Sequence, residues 1–137
     1  MDIAPKTVGI DHVGLTVLNL DLTRRFFVEC LGWKQVGERP DYPAAFLSDG
    51  HALLTFWQVT AEKDCVEFDR KANVGLHHLA LKVGSEDGLN DVLKRVTAWP
   101  GVRVEFEPEF LGQGPKKHMM FYEPGGIRIE FDFDPRG

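Results

Sequence analysis

Residues 8–17 read Val8-Gly9-Ile10-Asp11-His12-Val13-Gly14-Leu15-Thr16-Val17, and residues 74–83 read Val74-Gly75-Leu76-His77-His78-Leu79-Ala80-Leu81-Lys82-Val83. Val8, Gly9, His12, Leu15 and Val17 recur as Val74, Gly75, His78, Leu81 and Val83. The offset of 66 residues is close to half of the 137-residue chain. Self-similarity at such a spacing is the signature of a duplicated supersecondary unit. Chance explains it poorly, because the shared polar residue is a histidine inside an apolar stretch.

Outward from each copy, the two halves continue in the same order. After a first strand, Leu22, Phe26, Phe27, Cys30 and Leu31 fall at helical spacings within 21–31. Asn19 or Asp21 can cap that helix, and Gly32 can end it. In 86–98 the stripe is Leu89, Val92, Leu93 and Val96, with Ser85 as cap, Glu86 and Asp87 in the first turn, and Pro100-Gly101 as stop. Three strand-like runs follow each helix. They are 33–38, 44–48 and 52–59 in the first half, and 102–107, 117–122 and 127–133 in the second. Pro and Gly punctuate them. The expectation is an α+β chain of two tandem βαβββ modules in one domain, 1–137. Module one spans about 8–59, a polar linker about 60–73, and module two about 74–133.

Side chains alternate faces along a strand. On that basis His12 shares a face with Ile10, Gly14 and Thr16, and His78 with Leu76, Ala80 and Lys82. The small Gly14 and Ala80 leave room beside each imidazole. Glu130 lies within Ile127-Arg128-Ile129-Glu130-Phe131, where a carboxylate in a core strand is costly unless paired or coordinated. His12, His78 and Glu130 therefore form a candidate divalent-metal site, whose three ligands leave positions open for substrate. The plain alternative is two satisfied core histidines and a glutamate paired with a surface cation. It suits one isolated histidine better than two that are related by the repeat.

Four motifs carry a family resemblance: Ile10-Asp11-His12-Val13-Gly14-Leu15; Phe26-Phe27-Val28-Glu29-Cys30-Leu31-Gly32-Trp33; Gly75-Leu76-His77-His78-Leu79-Ala80-Leu81; and Glu123-Pro124-Gly125-Gly126-Ile127-Arg128-Ile129-Glu130. With them the chain, over about 8–133, resembles the vicinal oxygen chelate superfamily, also called the glyoxalase/bleomycin resistance/dioxygenase superfamily. The resemblance implies two modules curled around a metal, with ligands from the first and last strands of each. His12, His78 and Glu130 match three of the four places. The fourth falls on Thr55 or Leu54 depending on alignment, or on Gln58 through a bulge. Glyoxalases and related epimerases have a fourth protein ligand at that place. The His-His-Glu set is similar to that of extradiol dioxygenases, which are about twice as long. It is similar also to that of fosfomycin-modifying enzymes, which carry a hydroxyl residue where this chain has Gly14.

What the resemblance implies is a divalent-metal enzyme (Zn, Ni, Co, Mn or Fe). Its lead chemistry is glyoxalase-like lyase or isomerase action on a small vicinal-oxygen substrate through an enediolate-type intermediate. Fe(II) ring cleavage and non-catalytic sequestration of a drug or metabolite are the alternatives. His118 and a metal-released Glu130 are the candidates for moving a proton. His118 shares a strand face with Met120 and Tyr122, and an exposed histidine beside Lys116 and Lys117 is an equal reading. Trp57 and Phe46 could wall a cleft or be plain core. Lys116, Lys117 and the Gly112-Gln113-Gly114 loop could bind an anion, although a solvated turn is favoured. His77 alternates away from His78 and reads as structural, His51 sits in a turn, and Cys30 reads as a buried small hydrophobe.

Composition sets the remaining bounds. The chain is 43% hydrophobic and 27% charged, which excludes a disordered chain. Its net charge of −5 argues against a nucleic-acid partner. No apolar run suits a membrane span or a signal peptide. Two cysteines, Cys30 and Cys65, make no disulfide framework and suit a cytoplasmic setting. A small-molecule substrate and a homodimer are the expected partners.

Overall fold

The computed structural model describes residues 3–137. The first module contains β1 (Val13–Val17), α1 (Leu20–Arg25), a π-helical turn (Phe26–Cys30), β2 (Lys34–Arg39), β3 (Ala44–Ser48) and β4 (Leu53–Gln58). The second contains β5 (Leu79–Lys82), α2 (Glu86–Thr97), β6 (Arg103–Phe110), β7 (Lys117–Tyr122) and β8 (Arg128–Phe133). Each module forms its own four-stranded sheet, ordered β1-β4-β3-β2 and β5-β8-β7-β6. β1 and β5, at one edge of each sheet, run parallel to their neighbours β4 and β8, and the remaining pairs are antiparallel. The expected α+β fold of two βαβββ modules is the observed one.

Three local readings need correction. The repeated segments 8–12 and 74–78 lie outside the strands, so His12 and His78 each precede a strand instead of alternating within it. The physical reason is pairing, because the β1 ladder with β4 begins only at Val13–Leu54 and that of β5 with β8 at Leu79–Ile129. The first helix is also not α-helical throughout. Asn19 caps it, its side chain accepting from the Leu22 N–H at 3.0 Å. From Phe26 it widens into the π turn, where the Leu31 N–H reaches the Phe26 carbonyl at 3.1 Å. The wider turn narrows the angle between neighbours, so the adjacent Phe26 and Phe27 are both fully buried while Leu22 stays exposed. Gly32, at φ +80°, ends the segment as expected. Finally, β6 runs to Phe110 and is bulged, its register with β7 shifting between Val104 and Phe106 and again before Glu109.

α2 follows its sequence pattern closely. The Ser85 hydroxyl accepts from the Gly88 N–H at 2.9 Å, and Leu89 and Val96 are fully buried. The buried side chains of both modules form one cluster, including Phe26, Phe27, Leu54 and Phe56 from the first and Leu89, Phe121 and Ile129 from the second. Phe26 packs against Phe121 with the rings tilted and their centres 5.7 Å apart, and meets Trp99 edge-on at 6.5 Å. Each sheet thus turns its apolar face to a shared core, and its other face turns away from that core. No helix among the described residues is long and apolar enough to cross a membrane.

Candidate metal and substrate site

The outward face of the second sheet is a grid set by its register. Arg128, Glu130 and Asp132 alternate on β8, opposite Tyr122, Met120 and His118 on β7. On β6 the partners are Arg103, Phe106 and Glu109, and on β5 Ala80 and Lys82 face Glu130 and Asp132. His78, one residue before β5, continues the row that begins at Arg103.

Glu130 is 8% exposed. Its carboxylate has His118 Nδ1 at 3.4 Å from Oε1 and His78 Nε2 at 3.9 Å from Oε2. Among the described residues no lysine or arginine pairs with it. A buried carboxylate faced by imidazole nitrogens and by no fixed cation is a donor set suited to a divalent ion. The His118 ring lies 4.8 Å from that of Phe106, and its Nε2 is 3.8 Å from Glu109 Oε1.

Asp132 is the residue that sequence reasoning missed. It is 7% exposed, its Oδ1 is buried with no hydrogen-bond partner, and its carboxylate gathers with His118 and Glu130 within 4.8 Å. Burial, and next the charge of Glu130, push its carboxyl above the ordinary aspartate value. The signal was available, since Asp132 stands two residues after Glu130 and shares its face.

His12 is not brought to this group within one chain. Its side chain is 50% exposed, and Nδ1 lies 2.7 Å from Asp11 Oδ2. The fourth place of the pattern is now fixed by register. Gly14 pairs with Thr55 as Ala80 pairs with Glu130, and Gly14 and Ala80 are repeat equivalents. Thr55 therefore holds the place of Glu130 in the first module, and Leu54 points into the core, 1% exposed. The Thr55 hydroxyl accepts from Trp57 Nε1 at 2.9 Å. Gln58 is occupied, accepting from the Leu20 N–H and donating to the Leu18 and Val59 carbonyls.

The other candidates also find their places. Trp57 stands on the outward face of the first sheet, with Tyr42 at 4.6 Å and Phe46 at 5.8 Å between ring centres. His77 is not turned away from His78, because both precede β5 and their Nδ1 atoms lie 2.7 Å apart. Lys117 is paired with Glu86 and lies over the Phe110 ring, so it is not a free anion binder. Cys30 is buried, and burial pushes its thiol up from the ordinary value.

With this geometry established, the comparisons with known proteins define the class. The profile of the Glyoxalase/Bleomycin resistance protein/Dioxygenase superfamily matches residues 9–131, and the chain belongs to that superfamily. A 2-epi-5-epi-valiolone epimerase from Actinomyces sp is 29% identical, over 97% of this chain and 83% of the epimerase. A glyoxylase/bleomycin resistance protein/dioxygenase domain from Frankia sp. EAN1pec superposes with a TM-score of 0.79 at 24% identity, covering 96% of each chain. A variant fosfomycin resistance protein from Listeria monocytogenes, complexed with Mn(II) and 1S,2S-dihydroxypropylphosphonic acid, gives 0.68 at 18% identity. It covers 91% of this chain and 89% of that one. These two structures share the fold.

Proposed function

We propose that the protein is a divalent-metal-dependent isomerase or lyase acting on a small substrate with vicinal oxygens, with epimerisation beside a carbonyl as the lead reaction. The observation that carries this reading is the buried Glu130 carboxylate, faced by two imidazoles and by no lysine or arginine. The epimerase relative supports the reaction type.

His78 and Glu130 would hold the ion from one copy of the chain, and His12 from a second. The fold supports this sharing. In one chain the outward faces of the two sheets turn away from a common core, and among the described residues the hydrogen-bond partner of the His12 side chain is Asp11. The edges of β1 and β5 have no strand neighbour, and Val8, Ile10 and Val74 beside them are exposed. When bound, the ion supplies Lewis-acid stabilisation of negative charge developing on the two substrate oxygens. The His118 imidazole, whose Nδ1 faces Glu130, would take the proton from the carbon beside the carbonyl. Reprotonation by solvent from the opposite face, with His118 releasing its proton, gives epimerisation, and return of the proton by His118 to the neighbouring carbon gives isomerisation. Phe106 holds the His118 ring and limits its access to water.

The test is elemental analysis of protein purified without added metal or chelator, followed by exchange of an α-hydroxycarbonyl substrate in deuterated water. The reading expects a bound first-row divalent ion, and deuterium uptake that EDTA abolishes and Zn, Ni, Co or Mn restores. Protein without metal, or activity confined to Fe(II) with stoichiometric oxygen uptake on catechols, contradicts it.

A further inference from the structure

The outward grid of the second sheet ends in a cluster of cations that the metal site does not use. Arg128 is 7% exposed at its side chain and grips Glu105 with two hydrogen bonds, Nε to Oε1 at 3.0 Å and Nη2 to Oε2 at 2.7 Å. That pair neutralises the carboxylate of this row. Two more guanidiniums converge beside it. Arg70, from the segment joining the modules, places Nη1 2.9 Å from the Tyr122 hydroxyl and 3.6 Å from Glu105 Oε1. Arg103 stacks its guanidinium 4.1 Å from the centre of the Tyr122 ring, and among the described residues it has no hydrogen-bonding or ion-pair partner. Arg70, Arg103 and Tyr122, with Glu67, Phe68 and Asp69, border a cavity of about 430 Å³. The Asp69 carboxylate is turned to its own loop, accepting from the Lys71 and Ala72 N–H groups, and Glu67 is exposed.

We propose that Arg70 and Arg103 form an oxyanion site for a phosphate or carboxylate carried by the substrate. Its oxygens take the guanidinium donors that face the cavity, and the Tyr122 ring holds the Arg103 plane in place. Arg103, Tyr122 and Arg128 form one cross-strand row, and Met120 and Glu130 form the next row on the same face. Two residues along a strand span about 7 Å. The substrate class is therefore a vicinal-oxygen compound whose anionic group lies several bonds from the oxygens that the ion would hold. Only that spacing rests on the proposed function, since the guanidinium pair stands without a metal.

The experiment titrates metal-free protein separately with inorganic phosphate and with acetate, reading the Arg70 and Arg103 side-chain resonances by NMR. The expected result is saturable binding of at least one anion, weakened about tenfold in Arg103→Met and in Arg70→Met. Arg103→Lys should be intermediate, because it keeps the charge and loses the fork. The anion that binds more tightly tells phosphate from carboxylate. Saturation by neither, or equal affinity in wild type and both methionine variants, overturns the site. Protein that binds the anion but holds no metal upholds this site and contradicts the proposed function.

Discussion

Glu123 lies in the turn before β8, 2% exposed, and its carboxylate accepts three hydrogen bonds. The Thr23 hydroxyl of α1 donates at 3.0 Å, the Gly125 N–H at 2.8 Å and the Ile127 N–H at 3.0 Å. One side chain thus orders the turn and ties the second module to the helix of the first. A methyl group on Gly125 would overlap the Thr23 hydroxyl, which explains the glycine there. Glu123→Gln keeps the shape but sets an amide N–H₂ against a donor. It should cost about 2–4 kcal/mol in denaturant unfolding. The pH dependence follows from burial, which raises the carboxyl above the ordinary glutamate value against the lowering effect of its donors. The folded chain then binds this proton more readily than the unfolded one. The contribution is full below the unfolded value of about 4.3 and is lost as pH rises through the folded one. The gap between wild type and Glu123→Gln should therefore be widest at low pH and shrink upward. A gap that widens with rising pH contradicts the assignment. The sequence shows the Glu-Pro-Gly-Gly turn, but not its partner Thr23, because a contact across 100 positions leaves no local pattern.

At the scale of elements, strand number, order of appearance and module type were legible. Period-two runs bounded by Pro and Gly are strong local signals, and 44–48 and 117–122 match β3 and β7 to the residue. The π turn was not legible, because helical spacing fits Leu22, Phe26, Phe27, Cys30 and Leu31 alike, and only packing shows that Leu22 stays exposed while Phe26 and Phe27 are both buried. The N-terminal ends of β1 and β5 were over-extended for a related reason. Their apolar residues read as strand, but within one chain they lack a partner to pair with. Val8 and Val74 are fully exposed, and Ile10 is 84% exposed. Open edges beside exposed apolar residues are natural pairing surfaces. Ile10→Lys combined with Leu76→Lys should therefore convert a dimer to a monomer in sedimentation velocity and leave the circular dichroism unchanged. An unaltered sedimentation coefficient would place the interface elsewhere.

At the scale of the molecule, the repeat pointed to both histidines and the apolar strand around it pointed to Glu130, and neither signal could say which copies meet. The proposed sharing of a site between copies rests on both modules contributing to one core, with the two outward faces on the sides away from it. The central claim is that each metal site joins His12 of one copy to His78 and Glu130 of another. The most direct measurement mixes His12→Ala protein with Glu130→Gln protein, exchanges subunits by mild denaturation and refolding, and counts tightly bound metal. Each variant alone should bind none. Random pairing makes half of the dimers mixed, with one intact site in each, so the mixture should recover about a quarter of the wild-type sites. No recovery in a mixture shown to contain mixed dimers would contradict the claim and return the site to a single chain.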